Sequence, residues 1–224
     1  MTIKLGILAS GSGSNAQAMI DAVESGKLDA EICVIIANRP GAKVLERAAK
    51  HGIPHICIDH KTFPDRESFD LRMVEELQKA GVDTVALAGY MRLVTPAFLD
   101  AFPGRVLNIH PAILPSFPGT HGARDAWEYG AKFSGCTVHV VNPVMAGGPI
   151  IVQAILPVRQ DEDDEQLLDR IHVFEHRIYV QALQWMAEGR LHLEGRRMML
   201  APAERKLAPQ PELGLLWPPL EEGF

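Results

Sequence analysis

In the stretch RVLNIHPAILPSFPG, Arg105 to Gly119, an asparagine and a histidine stand two residues apart at the end of an apolar run. Residues i and i+2 of an extended strand point to the same side, so Asn108 and His110 face one small volume beyond the strand's end. An amide donor beside an imidazole suits the stabilisation of a developing oxyanion, and the imidazole can also move a proton. Pro111, Pro115 and Pro118 stiffen the loop that leaves the pair, and rigid placement is what such a site requires. The competing reading is a structural pair that ties the loop down.

A second chemical stretch lies near the N-terminus. ASGSGSNAQAMI, Ala9 to Ile20, sets glycines and serines between a strand and the start of a helix. Free backbone N–H groups there, with the helix dipole behind them, bind anions and phosphate above all. The spacing Gly11-Ser-Gly13-Ser-Asn-Ala16 also fits the looser G-x-G-x-x-A dinucleotide pattern. The second strand ends Ala37-Asn38-Arg39, with no acidic residue for a ribose, although Arg39 suits a 2′-phosphate. A phosphate cradle, an NADP site and a plain tight turn all remain open on these residues.

The elements that must position these groups follow from periodicity. IKLGILA (3–9), EICVIIA, PHICID, DTVALAG and RVLNI read as five strands. Helical patterns separate them: from Ser14 or Asn15 as cap to about Glu24, KVLERAAKHG stopped by Gly52, Arg66 to Ala80, and a helix opened by Thr95-Pro96. The strands are continuously apolar, as in a parallel sheet buried on both faces. Repeated strand–helix units predict an α/β, doubly wound, mostly parallel sheet. Ligands of such sheets bind beyond the carboxyl ends of the strands, here residues 10–15, 38–41, 59–66, 89–94 and 108–121. After residue 134 the rhythm changes: GCTVHVV and PIIVQAILPV predict an antiparallel edge pair near the C-terminus, followed by a helix over 163–187 and a hairpin in RLHLEGRRMML. Residues 1–201 read as one domain, and 202–224 as a loosely packed tail rich in proline and charge.

Composition narrows the function classes. The chain has 224 residues, 47% of them hydrophobic, and a net charge of −6. That charge does not suit a nucleic-acid binder, and no apolar run is long enough to span a membrane. Cys33, Cys57 and Cys136 sit apart in strand-like runs and read as buried thiols, with no metal-ligand spacing. An odd number of cysteines without a signal peptide predicts a reducing, cytoplasmic setting. On a helical wheel Glu175 lies at the edge of the apolar face formed by Leu168, Ile171, Phe174, Ile178 and Ala182, where a carboxylate needs a partner.

Five motifs occur together in order: SGSGSN, LAGYMRLV, LNIHPAILPSFPG followed by His121, GGPIIVQ and EHRIY. Over residues 3–200 the chain resembles the phosphoribosylglycinamide formyltransferases, folate-dependent enzymes of purine synthesis with a Rossmann-like fold. The serine-glycine loop favours this group over the methionyl-tRNA formyltransferases and formyltetrahydrofolate hydrolases. The resemblance implies that Gly13, Ser14 and Asn15 hold the phosphate of glycinamide ribonucleotide and that Glu175 binds elsewhere on it. It implies a pterin pocket formed by Met91, Arg92, Leu93 and Val94 beside Asn108, with Arg66 near the folate carboxylates. The loop Pro143–Pro149 would close over the folate, and the Leu114–Pro115 bond would be cis. Asn108 and protonated His110 would stabilise the oxyanion formed when the substrate amine attacks 10-formyltetrahydrofolate, His121 and His139 would support the site, and no metal would be needed. The implied partners are these small molecules, with no nucleic acid and no membrane; the oligomeric state is left open. One position departs from the pattern. The family carries a catalytic aspartate directly before Gly-Gly-Pro, and this chain has Ala146 there. An alanine can neither raise the histidine pKa by its charge nor order a proton-carrying water, so the resemblance leaves three readings: a homologue of weak or altered activity that chiefly binds, a mutant of an active enzyme, or a carboxylate supplied from elsewhere.

Overall fold

The computed structural model describes residues 1–204, 206–210 and 214–224. Apolar, β-branched runs form β1 (Ile3–Ala9), β2 (Ala30–Ala37), β3 (His55–Cys57), β4 (Thr84–Leu87) and β5 (Val106–His110). Between them run α1 (Ser14–Glu24), α2 (Lys43–Lys50), α3 (Arg66–Lys79) and α4 (Pro96–Ala101). The chain continues through α5 (Gly122–Tyr129), β6 (Phe133–Val140), β7 (Ile150–Pro157), α6 (Asp164–Ala187), β8 (Leu191–Glu194), β9 (Arg197–Leu200) and β10 (Leu215–Trp217).

Among the described residues, eight strands make one sheet in the order β10-β7-β6-β5-β4-β1-β2-β3, and β8-β9 form a separate antiparallel pair. β1 to β5 run parallel, whereas β6, β7 and β10 join by antiparallel pairing. The chain moves outward from β1 to β2 and β3, then returns to place β4 on the other side of β1. The strand order thus reverses between β1 and β4, which opens a crevice at their carboxyl ends. The doubly wound, mostly parallel sheet expected from the sequence is the fold observed.

Both faces of the sheet are covered. One face packs Met19, Ile20, Val44, Ile171, Tyr179 and Trp185 from α1, α2 and α6, and the other packs Phe69, Met73, Leu77 and Phe98 from α3 and α4. Asp163 caps α6 in a reciprocal box: its carboxylate accepts from Gln166 N, and Gln166 Oε1 accepts from Asp163 N. Tyr179 OH donates to the Leu107 carbonyl at 2.8 Å, with the Leu87 carbonyl at 3.2 Å. That tyrosine ties α6 to the ends of β4 and β5.

Several details differ from the sequence reading. Neither Ser14 nor Asn15 caps α1; Gly13 does, at φ 71°. A Cβ on Gly13 would lie 2.5 Å from Val44 Cγ2, so the turn needs glycine for its backbone angle and for its closeness to α2. Of the three thiols only Cys136 is buried; Cys33 is half-buried and Cys57 is exposed, because β3 is a short strand at the open edge of the sheet. The β6–β7 pair is antiparallel, but the edge belongs to β10. β10 also alters the picture of the tail: Leu216 and Leu220 pack into the main core, while residues 205 and 211–213 of that segment lie outside the described residues. The Leu114–Pro115 bond is cis.

Candidate active site

A cleft of about 640 Å³ opens at the carboxyl ends of β1, β4 and β5, on the crevice where the strand order reverses. Ser10 to Asn15, Leu87 to Val94, Asn108 to Pro111, Pro118 to Thr120 and Val141 to Ala146 line it, together with Arg39 and His139. Leu168, His172 and Glu175 of α6 close its far side. Of the strand-end segments expected to bind ligand, 59–66 lies outside this cleft.

At one end the glycine-serine turn leads into α1, whose first N–H groups have no intrahelical acceptor. Arg47 braces the turn: its Nε donates to the Ser12 carbonyl at 2.8 Å, and its Nη1 donates to Gln17 Oε1 at 3.2 Å. Asn15 Nδ2 donates to Glu175 Oε2 at 2.8 Å. Glu175 is almost fully buried, and burial pushes its pKa up while the Asn15 bond and His172 pull it down. Asn15 Oδ1 is buried with no hydrogen-bond partner among the described residues. Asn15 is therefore half satisfied, with an acceptor left over beside the cradle. His172, three residues before Glu175, also lines the cleft and stacks on His176, their ring centroids 6.3 Å apart. The sequence reading missed His172; its only signal was the helical spacing from Glu175.

The same cleft holds the polar pair. β5 and β6 register Asn108 opposite His139 and His110 opposite Thr137. His139 Nδ1 is 3.1 Å from the Val140 carbonyl, which can only accept, so Nδ1 carries the proton. Its Nε2 then accepts from Asn108 Nδ2 at 3.2 Å. This fixes which end of the Asn108 amide faces His139 and leaves the second amide hydrogen free. His110 Nε2 lies 2.7 Å from the Phe117 carbonyl and by the same logic donates to it, leaving Nδ1 with the lone pair. Phe117 holds φ 51°, an uncommon backbone for a bulky side chain, and its ring meets Tyr129 edge-on at 5.8 Å. Burial pushes the pKa of both His110 and His139 down; the Phe117 bond and the Asp125 charge oppose the shift at His110. Thr137 Oγ1 donates to the Ala112 carbonyl at 2.7 Å and accepts from Leu114 N at 3.1 Å, which pins the proline-rich loop to β6.

Another part of the lining is apolar. Met91, Leu93, Val144 and Met145 line the cleft and are 45% to 65% exposed, a wall without an internal partner. Met91 N donates to Ser10 Oγ at 2.9 Å, so the β1 and β4 loops are joined. Arg92 lies over the Phe69 ring at 5.2 Å, and its buried Nε has no hydrogen-bond partner among the described residues. Thr95 N donates to the buried Asp70 Oδ2 at 2.6 Å, which anchors the segment after Val94. Ala146 sits in the cleft at φ 50°, a region that favours Asn, Asp and Gly.

Arg66 and His121 are not part of the cleft lining. Arg66 begins α3 and lines a smaller depression with Glu67, Thr95, Pro96 and Ala97. His121 is the exposed N-cap of α5, 2.9 Å from the Oγ1 of cleft-lining Thr120. Among the described residues, no group of three or more His, Cys, Asp or Glu could hold a metal ion, and no helix is long and apolar enough to cross a membrane.

Comparison with known proteins gives a consistent answer. The family model for formyl transferase matches residues 3–183. Phosphoribosylglycinamide formyltransferase of Escherichia coli K12 is 39% identical over 84% of this chain and 88% of its own length. Trifunctional purine biosynthetic protein adenosine-3 of Drosophila pseudoobscura pseudoobscura is 45% identical over 84% of this chain, which spans only 14% of that longer protein. Glycinamide ribonucleotide transformylase 1 of Symbiobacterium toebii superposes with a TM-score of 0.88 at 47% identity, covering 90% of this chain and 95% of that one. On the matched span and on these identities, the chain belongs to the formyl transferase family, among the phosphoribosylglycinamide formyltransferases.

Proposed function

We propose that this protein transfers the formyl group of 10-formyltetrahydrofolate to the amine of glycinamide ribonucleotide, a step of purine synthesis in the cytoplasm. The observation that carries this reading is that one cleft is lined by an anion cradle, an amide beside an imidazole, and an apolar wall. A phosphorylated amine on the cradle and an aromatic formyl donor on the apolar wall would bring amine and formyl group to the amide and imidazole. The residues fit both. Gly13, Ser14 and Asn15 would hold the phosphate, with Glu175 and the spare Asn15 acceptor taking donors of the same substrate. Met91, Leu93 and Val94 would cover the pterin, and Arg92 brings a cation with an unused N–H. Arg66, outside the cleft, lines a depression with Thr95, the residue after cleft-lining Val94, and would serve the distal carboxylates.

When bound, the folate supplies a formyl carbon at which an amine can add. Asn108 holds the formyl oxygen with the amide hydrogen that His139 does not use. Burial disfavours the charged form of His110 and so favours the neutral ring as the base. Its Nδ1 accepts the proton that the amine loses on attack. The imidazolium so formed, beside Asn108, stabilises the negative charge on oxygen, and His110 returns the proton to the departing folate nitrogen.

Thermal denaturation with added ligands tests the reading. Glycinamide ribonucleotide and a reduced folate should each raise the melting temperature, since a ligand at 100 times its Kd stabilises by about 2.7 kcal/mol. Stabilisation by NADPH with no response to either would replace this reading with a dinucleotide site that uses Arg39.

A further inference from the structure

The imidazole of His110 packs against the first turn of α5. A Cβ built on Gly122 would lie 3.0 Å from His110 Nε2 and 2.8 Å from Ala112 Cβ, so only glycine lets the helix start this close. Asp125 lies one turn on from Gly122 along the same helix face, and its Oδ2 is 3.2 Å from where a Cβ on Gly119 would stand. Gly119 follows Phe117, whose carbonyl holds His110 Nε2 at 2.7 Å. The imidazole, the 117–119 loop and the first turn of α5 are therefore one contact layer. Among the described residues the Asp125 carboxylate makes no hydrogen bond or ion pair; neighbouring Arg124 is paired with Glu128 at 2.7 Å. The other titratable group facing His110 among the described residues is His139 of β6, which is buried, and burial disfavours its charged form. Across the cleft, Ala146 brings no charge.

We propose that Asp125 is the carboxylate partner of His110 in this chain, a positioning residue that stabilises the imidazolium formed during proton transfer. The inference rests on the reading that His110 moves the proton. An acidic residue in the first turn of a helix is ordinarily explained by the helix dipole alone. Here the same turn is pressed onto the imidazole of the site, and that glycine-enabled approach gives the carboxylate a second task. The electrostatics agree in direction: the Asp125 charge favours the protonated ring, against burial.

The test is an NMR titration of the His110 ring together with the pH profile of kcat, for the unaltered protein, Asp125→Asn and Asp125→Glu. Removing the charge should move the His110 titration to lower pH and reduce kcat by about tenfold with little change in KM; Asp125→Glu should restore both. A helix-start role alone would leave the His110 titration where it was, and that result overturns the proposal. If the titration moves while no variant, nor the unaltered protein, transfers formyl groups, the carboxylate partnership stands and the proposed reaction falls.

Discussion

At the scale of single residues, the site runs on groups that are deliberately half satisfied. Asn108 spends one amide hydrogen on His139 and keeps the other; His110 spends Nε2 on Phe117 and keeps Nδ1; Asn15 spends its amide on Glu175 and keeps its oxygen. Each bond made fixes the direction of the one left open. The cost shows most clearly at Glu175. Its burial means that the folded state holds the proton to higher pH than an ordinary glutamate does. Above that ordinary range the folded protein carries a charge that the unfolded chain bears more easily. Glu175→Gln keeps the acceptor for Asn15 and removes the charge, so at pH 7 it should raise the melting temperature by about 2–4 °C while weakening glycinamide ribonucleotide binding. The gain should vanish as pH falls below about 4.3, where the unfolded glutamate is protonated as well. Melting curves across that range check it; a gain that does not depend on pH would mean that packing, not charge, is responsible.

At the scale of elements, the strands were the legible part. β1 has the bounds read from the sequence and β5 is displaced by one residue, because their mostly apolar runs, buried on both faces, stand out from the polar segments that flank them. The Asn108–His110 pair and the glycine-serine turn were legible for a related reason: each sits where an apolar run stops and polar groups begin. What lay hidden depends on contacts between distant segments. α5 is eight residues long and starts among glycines and prolines, so its period is too short to detect. The cap of α1 was misplaced because Asn15 turns its side chain to α6, 160 positions away, and not to its own helix. His172 is marked only by its helical spacing from Glu175, and Asp125 carries no local signal at all. β10 was masked by the prolines around it, yet its pairing with β7 gives the segment real weight: Glu221 N donates to Gln181 Oε1 at 2.7 Å, and Leu216 and Leu220 are buried. Ending the chain at Ala201 should lower the melting temperature by about 10 °C or more, since each buried leucine contributes about 1.5–3 kcal/mol. A truncated protein that melts with the full chain would show that the last strand adds nothing to the fold.

At the scale of the whole molecule, one topological event organises everything. The reversal of strand order between β1 and β4 opens the crevice; the loop after β1 delivers the cradle, the loops after β4 and β6 the apolar wall, and the end of β5 the polar pair. α6 crosses behind them, bringing Glu175 to the cradle and Tyr179 to the strand ends in a single helix. The molecule is acidic overall, at −6, but Arg39 and Arg92 line the cleft, so the local field favours anionic ligands where the body does not. Ala146 brings no carboxylate to the cleft, and Asp125 of α5 is the carboxylate proposed to act on His110. The most direct measurement is formyl transfer from 10-formyltetrahydrofolate to glycinamide ribonucleotide by the purified protein, with Asn108→Ala assayed beside it. The account predicts turnover by the unaltered protein and a loss of about 10²–10³-fold in kcat for the variant, the usual effect of removing an oxyanion donor. No transfer by the unaltered protein, or a variant as fast as its parent, would contradict it.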